Sequence, residues 1–187
     1  MLSKNAVKYI QSLQQKKQRD EHSLFVAEGP KVVGELMRES AFVCRQVFAL
    51  SDWADADVPA SAEKVIITAE ELERISGMQT PNRVLAIFEM RPPVRPAVKG
   101  DFSLVLDGIQ DPGNLGTMIR TADWFGIKNI VCSEDTADMY NPKVVQSSMA
   151  SLARVNVYYT DISKWIAEQG SVRKYACLLY TSDAADE

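Results

Sequence analysis

Apolar residues recur along the chain in short blocks whose period switches between helical and extended. The switches divide the sequence into two runs of alternating elements. Val7, Ile10 and Leu13 recur at helical spacing while Lys4, Lys8 and Arg19 project from another side, so the opening stretch is predicted to be an amphipathic helix with a basic face. Residues 24–27 form an apolar strand that leads through Glu28-Gly29 into a helix with Pro30 in its first turn, where a missing N–H costs least. Residues 43–50, 64–68 and 84–90 read as strands. Between the last two, Thr68-Ala-Glu-Glu71 has the form of a capping box and opens a helix that ends near Gly77. These elements make a first α/β unit over residues 1–90.

Arg91-Pro-Pro-Val-Arg-Pro96 stops all periodicity, because prolines remove backbone donors and push their predecessors into extended conformations. Residues 91–100 are therefore a linker. The second run covers 101–177. It begins with a strand at 103–106, a loop at 107–113 and a helix from about 114 to 125, with Gly126 as a left-handed stop. Strand 128–132, helix 142–153, strand 154–159, helix 161–169 and strand 174–179 continue the alternation. The order predicts a mostly parallel sheet with helices on both faces, and such sheets bind ligands at the carboxyl ends of their strands.

With 46% hydrophobic and 25% charged residues the chain can build a globular core. No run of about eighteen apolar residues occurs and the N-terminus is polar and basic, so a cytoplasmic protein is expected. Cys44, Cys132 and Cys177 lie far apart, and His22 is the sole histidine, which argues against a zinc site and gives disulfides little support; no metal is expected. A formal net charge of −4 is unfavourable for nucleic-acid binding, yet residues 1–19 carry five basic groups and no acidic one. Local charge steers a polyanion better than the total does, since screening limits each group to about 10 Å at 0.1 M salt.

Candidate chemistry concentrates where strand 103–106 hands over to its helix. Backbone N–H groups and the helix dipole suit an anion there. Gly108 and Gly113 have Walker A spacing, but Asn114-Leu115 follows in place of Lys-Ser/Thr, and no Gly-x-Gly-x-x-Gly is present, so nucleotide hydrolysis and dinucleotide binding lose support. Thr117, Arg120 and Thr121 form a polar stripe beside Leu115, Met118, Ile119 and Ala122. Asn114 fits either an active-site role or a helix N-cap. Asp107 and Asp111 read as loop formers, and Trp124 and Phe125 as core residues ending the helix.

The block Leu106-Asp-Gly-Ile-Gln-Asp-Pro-Gly-Asn-Leu-Gly-Thr-Met-Ile-Arg-Thr-Ala-Asp-Trp-Phe-Gly126 resembles the first signature motif of the SpoU/TrmH family of RNA ribose 2′-O-methyltransferases, in the SPOUT superfamily. The likeness runs on through Asn141-Pro-Lys143 and Ser147-Ser-Met149 to Arg154-Val155. Lys16-Lys17, Phe25, Glu28-Gly29 and Lys31 are similar to the family's RNA substrate-binding domain. The resemblance implies a small L30e-like α/β RNA-binding domain followed by a parallel-sheet SPOUT domain whose C-terminal trefoil knot binds S-adenosylmethionine. It also implies methyl transfer to a ribose 2′-hydroxyl of ribosomal or transfer RNA, by a homodimer. Arg120 matches the motif's catalytic arginine and Asn114 its active-site asparagine. Lys4, Lys8, Lys16, Arg19 and Lys31 are the expected RNA contacts of the first unit, and Lys143 that of the second, unless it is simply solvated.

Gln146 stands where the family often has arginine, and Ala150 where it usually has glycine. The chain ends at Glu187, before the family's second and third motifs, so a truncated, knot-less domain is expected, with the main cofactor pocket beyond the chain end. Residues 178–187 match nothing in the family and read as a non-native tail. Two rival readings are a non-catalytic RNA-binding protein and a phosphate-binding α/β protein of unrelated chemistry.

Overall fold

A computed structural model describes residues 1–39, 41–53, 58–98, 100 and 102–176. The chain opens with two helices, α1 (Lys4–Ser12) and α2 (Lys16–His22), where one was expected. Arg19 folds back across the break. Arg19 Nη1 donates to the carbonyls of Leu13 (3.0 Å) and Gln14 (2.7 Å), which a continuous helix would have used itself.

Strand β1 (Leu24–Glu28), helix α3 (Pro30–Arg38), strands β2 (Cys44–Ala49) and β3 (Glu63–Ile66), helix α4 (Ala69–Ile75) and strand β4 (Val84–Glu89) complete the first unit. Pro30 opens α3, and the Thr68–Glu71 capping box of α4 forms in both directions. The sheet order is β1-β4-β2-β3, with β4 antiparallel to β1 and β2, and β3 parallel to β2. Strand alternation gives each face its own core. Val26, Phe48, Leu85 and Ile87 pack with Val7, Ile10, Leu72 and Ile75, while Phe25, Ala27, Ala86 and Phe88 pack with Val32, Val33 and Leu36.

The second unit contains strand β5 (Ser103–Leu106), helix α5 (Pro112–Trp124), strand β6 (Asn129–Cys132), helix α6 (Pro142–Ser148), strand β7 (Asn156–Tyr159) and helix α7 (Ile162–Glu168). Its three described strands are all parallel, in the order β5-β6-β7. α5 and α6 bury Leu115, Ile119, Val144 and Val145 with Leu106, Ile130 and Cys132. Lys174, Tyr175 and Ala176 belong to no strand; the remainder of the strand expected at 174–179, and the tail at 178–187, lie outside the described residues. None of the described helices is long and apolar enough to cross a membrane.

Helix α6 is shorter than the periodicity suggests. It stops at Ser148 because Met149 (φ 51°) and Ala150 (φ 68°) both turn left-handed, and Ser151–Ala153 follow as a 3₁₀ turn. Ala150 is fully buried at the position where the family usually carries glycine. The left-handed backbone costs an alanine roughly 1–2 kcal/mol. Against that, glycine loses about 0.8 kcal/mol for a buried methyl and about 0.5–1 kcal/mol in backbone entropy. The opposing effects are of equal size, so Ala150→Gly is expected to move the urea midpoint by less than the equivalent of about 1 kcal/mol; a larger loss would show the methyl to be a packing element.

The two units share one apolar core. Tyr140, from the loop after β6, sits 4.9 Å from Phe25 and 6.2 Å from Phe42, ring centre to ring centre. Arg91 spreads over the Phe42 ring at 4.4 Å and donates to the carbonyls of Leu152 (2.6 Å) and Ala153 (3.1 Å). Arg154 ties Asp123 at the end of α5 (2.6 Å) to Glu39 beyond α3 (2.9 Å). Burial raises the Asp123 carboxyl, but the Arg154 guanidinium outweighs it and holds the group below its ordinary range.

Candidate RNA-facing active site

The site is built on the turn that joins β5 to α5. Gly108 takes φ +65°, which a residue without Cβ adopts freely, and its N–H donates to Ser133 Oγ (2.8 Å). Asp111, and not Asn114, caps α5: its Oδ1 accepts the Asn114 N–H at 2.8 Å, with Pro112 at the first helical position. That donation above all, with help from Lys143, holds the Asp111 carboxyl below its usual range. Asn114 is thereby released from capping, and its exposed carboxamide makes no hydrogen bond among the described residues.

α6 supplies the neighbouring wall. Asn141 caps it by accepting the Lys143 N–H (2.9 Å), and Pro142 opens the helix. The Lys143 side chain reaches over Gly113, with Cε 3.4 Å from where a Cβ there would stand, and its ammonium lies 3.4 Å from Asp111 Oδ2. Lys143 is thus brought to the amino end of α5, as its candidate role requires, but it arrives paired. Ser147 meets Gly116 where the two helices cross, so the two motif segments are the complementary halves of one contact.

At about 100° per residue, Asn114, Thr121, Thr117, Trp124 and Arg120 fan in that order over about 120° of the outer face of α5. Leu115, Gly116, Ile119 and Ala122 fill the inner face. The threonine hydroxyls are spent on the helix itself: Thr117 donates to Gly113 O and Thr121 to Thr117 O, each at 2.9 Å. Arg120 is exposed and has no hydrogen-bond or ion-pair partner among the described residues. Trp124 and Phe125 are 85% and 74% exposed, contrary to the core role expected of them. The inner face is already full, so the helix end points both aromatic rings outward.

Of the residues expected to contact RNA in the first unit, Lys4, Lys8 and Lys31 are exposed, and Lys16 is exposed but paired with Asp20 at 2.7 Å. Arg19 is a correction. It is 1% exposed, with Nη2 2.6 Å from Asp138 Oδ2, so it faces the interior and offers nothing to a polyanion.

The Cys44 and Cys132 thiols are buried and pushed up to about 11 and about 12, too high to act as nucleophiles; Cys177 lies outside the described residues. A cavity of about 490 Å³ lies beside Tyr9, His22 and Arg45 on the first unit. Another of about 450 Å³ runs between Lys16, the Pro92-Pro93 linker and Tyr159. Neither lining includes a residue of the 107–120 segment.

Residues 101–186 match the SpoU rRNA methylase family, so the match reaches into the 178–187 segment expected to match nothing in it, and residues 4–86 match the MRM3-like substrate binding domain. The structure of a putative RNA methyltransferase of the TrmH family from Porphyromonas gingivalis superposes with a TM-score of 0.81 at 38% identity, covering 91% of this chain and 69% of that one. An AdoMet-bound rRNA methyltransferase from Sinorhizobium meliloti superposes with a TM-score of 0.78 at 29% identity, covering 91% of this chain and 67% of that one. The chain belongs to the SpoU/TrmH family of RNA methyltransferases. Among its named relatives is the 23S rRNA (guanosine(2553)-2'-O)-methyltransferase RlmP of Bacillus subtilis, 28% identical over 162 residues that make up 87% of this chain. The chain spans 64% of that relative's length.

Proposed function

We propose that this protein works as an S-adenosylmethionine-dependent RNA methyltransferase, acting on a ribose 2′-hydroxyl of ribosomal RNA. The observation that carries the reading is the outer face of α5, where Asn114 and Arg120 stand exposed and unpartnered among the described residues. Family membership supports the cofactor, which supplies the electrophilic methyl group when bound. The roles assigned to this chain's residues all lie on the RNA side. Arg120 grips a phosphate and lowers the cost of charge developing on the 2′-oxygen, while Asn114 orients the ribose. Ribosomal RNA is preferred over transfer RNA because the relatives above are named for it. The product of the complete gene, incubated with labelled S-adenosylmethionine and ribosomal RNA, is expected to leave one alkali-resistant labelled dinucleotide. RNA bound without any label incorporated would favour the non-catalytic reading.

The first unit, read as L30e-like on the strength of its mixed sheet between helix layers, holds the RNA through Lys4, Lys8, Lys16 and Lys31. Lys143 adds a contact at the site. Surface pairs such as Lys16–Asp20 and Lys143–Asp111 are worth little, so a phosphate can displace the carboxylate. Converting Lys4, Lys8 and Lys31 together to glutamine is expected to flatten the dependence of log K on log salt by about 2, at about 0.7 per lost contact with single-stranded RNA. An unchanged slope would place the RNA elsewhere.

The second unit is read as a SPOUT methyltransferase sheet, whose trefoil knot draws on strands that are not among the described ones. Exposed Trp124 and Phe125 support a homodimer that meets at the carboxyl end of α5. Replacing both with serine is expected to convert the dimer to monomer in sedimentation. A cytoplasmic setting belongs to the same reading, and a fluorescent fusion concentrated at the cell envelope would contradict it.

A further inference from the structure

We propose that Arg19 and Asp138 form a positioning pair through which the N-terminal unit sets the geometry of the active-site turn at 107–111. The inference rests on the functional reading above for its meaning and on bonds in the structure for its substance.

Arg19 bridges three acceptors at once: the carbonyls of Leu13 and Gln14 at the end of α1, and Asp138 Oδ2 at 2.6 Å. The ion pair is buried, with side chains 1% and 14% exposed. A buried pair is weak evidence for stability but a well-attested way to fix register, because any displacement strands a charge without water. Asp138 belongs to the loop that joins β6 to α6. Its second oxygen accepts the Tyr140 N–H at 3.0 Å, and Tyr140 is itself held between Phe25 and Phe42 while its hydroxyl accepts the Arg91 N–H at 3.0 Å. The first unit therefore grips this loop at two neighbouring side chains.

The other end of the same loop holds the turn. Ala137 N–H donates to Ile109 O at 2.8 Å, Gly108 N–H donates to Ser133 Oγ at 2.8 Å, and the Ser133 and Thr136 hydroxyls bond each other at 2.9 Å. Tyr159 steadies the middle, donating to Ala137 O (2.7 Å) and accepting the Met139 N–H (2.8 Å). Two residues past Ile109, Asp111 caps α5 and so fixes where Asn114 and Arg120 begin. An unbroken series of contacts thus runs from the unit that holds RNA to the helix face that acts on it. Lysine cannot replace Arg19 in this role, since a single ammonium on a flexible stem does not reproduce the planar fork that serves α1 and Asp138 together.

The test is amide hydrogen exchange on the complete protein. Asp138→Asn keeps the side chain's shape and its oxygen for Tyr140 but removes the charge. It is expected to speed exchange at Gly108 and Ala137 by about tenfold or more while Ala86, in the first sheet, keeps its rate. Asn156→Ala removes another seam contact, the Asn156 Nδ2 donation to Val94 O at 2.9 Å, and is expected to leave Gly108 and Ala137 unchanged. In methyl transfer, Asp138→Asn is expected to lower kcat with KM for RNA little changed.

Unaltered exchange at Gly108 and Ala137, or faster exchange at Ala86 in the same proportion, would overturn the proposal. Should Asp138→Asn fail to fold, Arg19→Lys is read the same way. Failure of both to fold would make the pair a general stabiliser and count against it. The exchange readout needs no turnover, so a wild-type protein without methyl transfer would sink the functional reading and leave this one standing.

Discussion

Replacing Arg120 with alanine is expected to lower methyl transfer about 100- to 1,000-fold, the size of effect seen when one preorganised charge-stabilising donor is lost. The same change is expected to leave stability within about 0.5 kcal/mol, because the side chain is exposed and bonds no other described residue. The separation matters, since an effect on both would mean that the arginine supports the fold. Arg120→Lys discriminates between roles. A guanidinium is a poor general base, because it holds its proton throughout the physiological range. If it acts as a charge that holds a phosphate and eases alkoxide formation, lysine retains part of the rate. If it acts through its planar two-pronged geometry, or as the base itself, lysine falls as low as alanine. Single-turnover rates at saturating RNA make the comparison, so that weakened binding is not mistaken for slowed chemistry.

The features legible in the sequence are those whose cause lies within a few residues. Pro30 at a helix start, the Thr68–Glu71 box, the strand at 103–106 and the left-handed Gly126 are local choices of backbone and hydrogen bonding, and all appear in the fold. The cap of α5 had a local signal as well. Asp111 followed by Pro112 is a cap followed by a first-turn proline, and reading it would have moved the helix start and freed Asn114. Arg19 had no such signal. In sequence it sits in a basic run and looks solvated, and only a carboxylate 119 positions away turns it inward. The same applies to Ser148, where α6 ends without a glycine because the buried path of 149–153 demands it. Trp124 and Phe125 show the converse: apolarity alone predicts burial, and burial by this chain's described residues is not what they receive.

Gly116→Ala is expected to destabilise the protein by about 1–3 kcal/mol, although alanine is the better helix former by about 1 kcal/mol. A Cβ at this position would stand 1.9 Å from Ser147 Oγ, 2.9 Å from Ser147 Cβ and 2.7 Å from Val144 O. The serine hydroxyl can rotate away, but the Val144 carbonyl is helix backbone and cannot, so α5 and α6 must separate. Separation thins the packing of Leu115 and Ile119 against Val144 and Val145, all of them fully buried or nearly so. It also draws Lys143 away from Asp111 and so disturbs the amino end of α5, which couples this packing contact to the site. Urea denaturation at constant m reads the stability. Adding Ser147→Gly to Gly116→Ala is expected to restore only part of the loss, because the clash with Val144 O persists. Full recovery would assign the close approach to the serine alone, and a gain in stability for Gly116→Ala by itself would show that the helices yield and that the glycine is there for another reason.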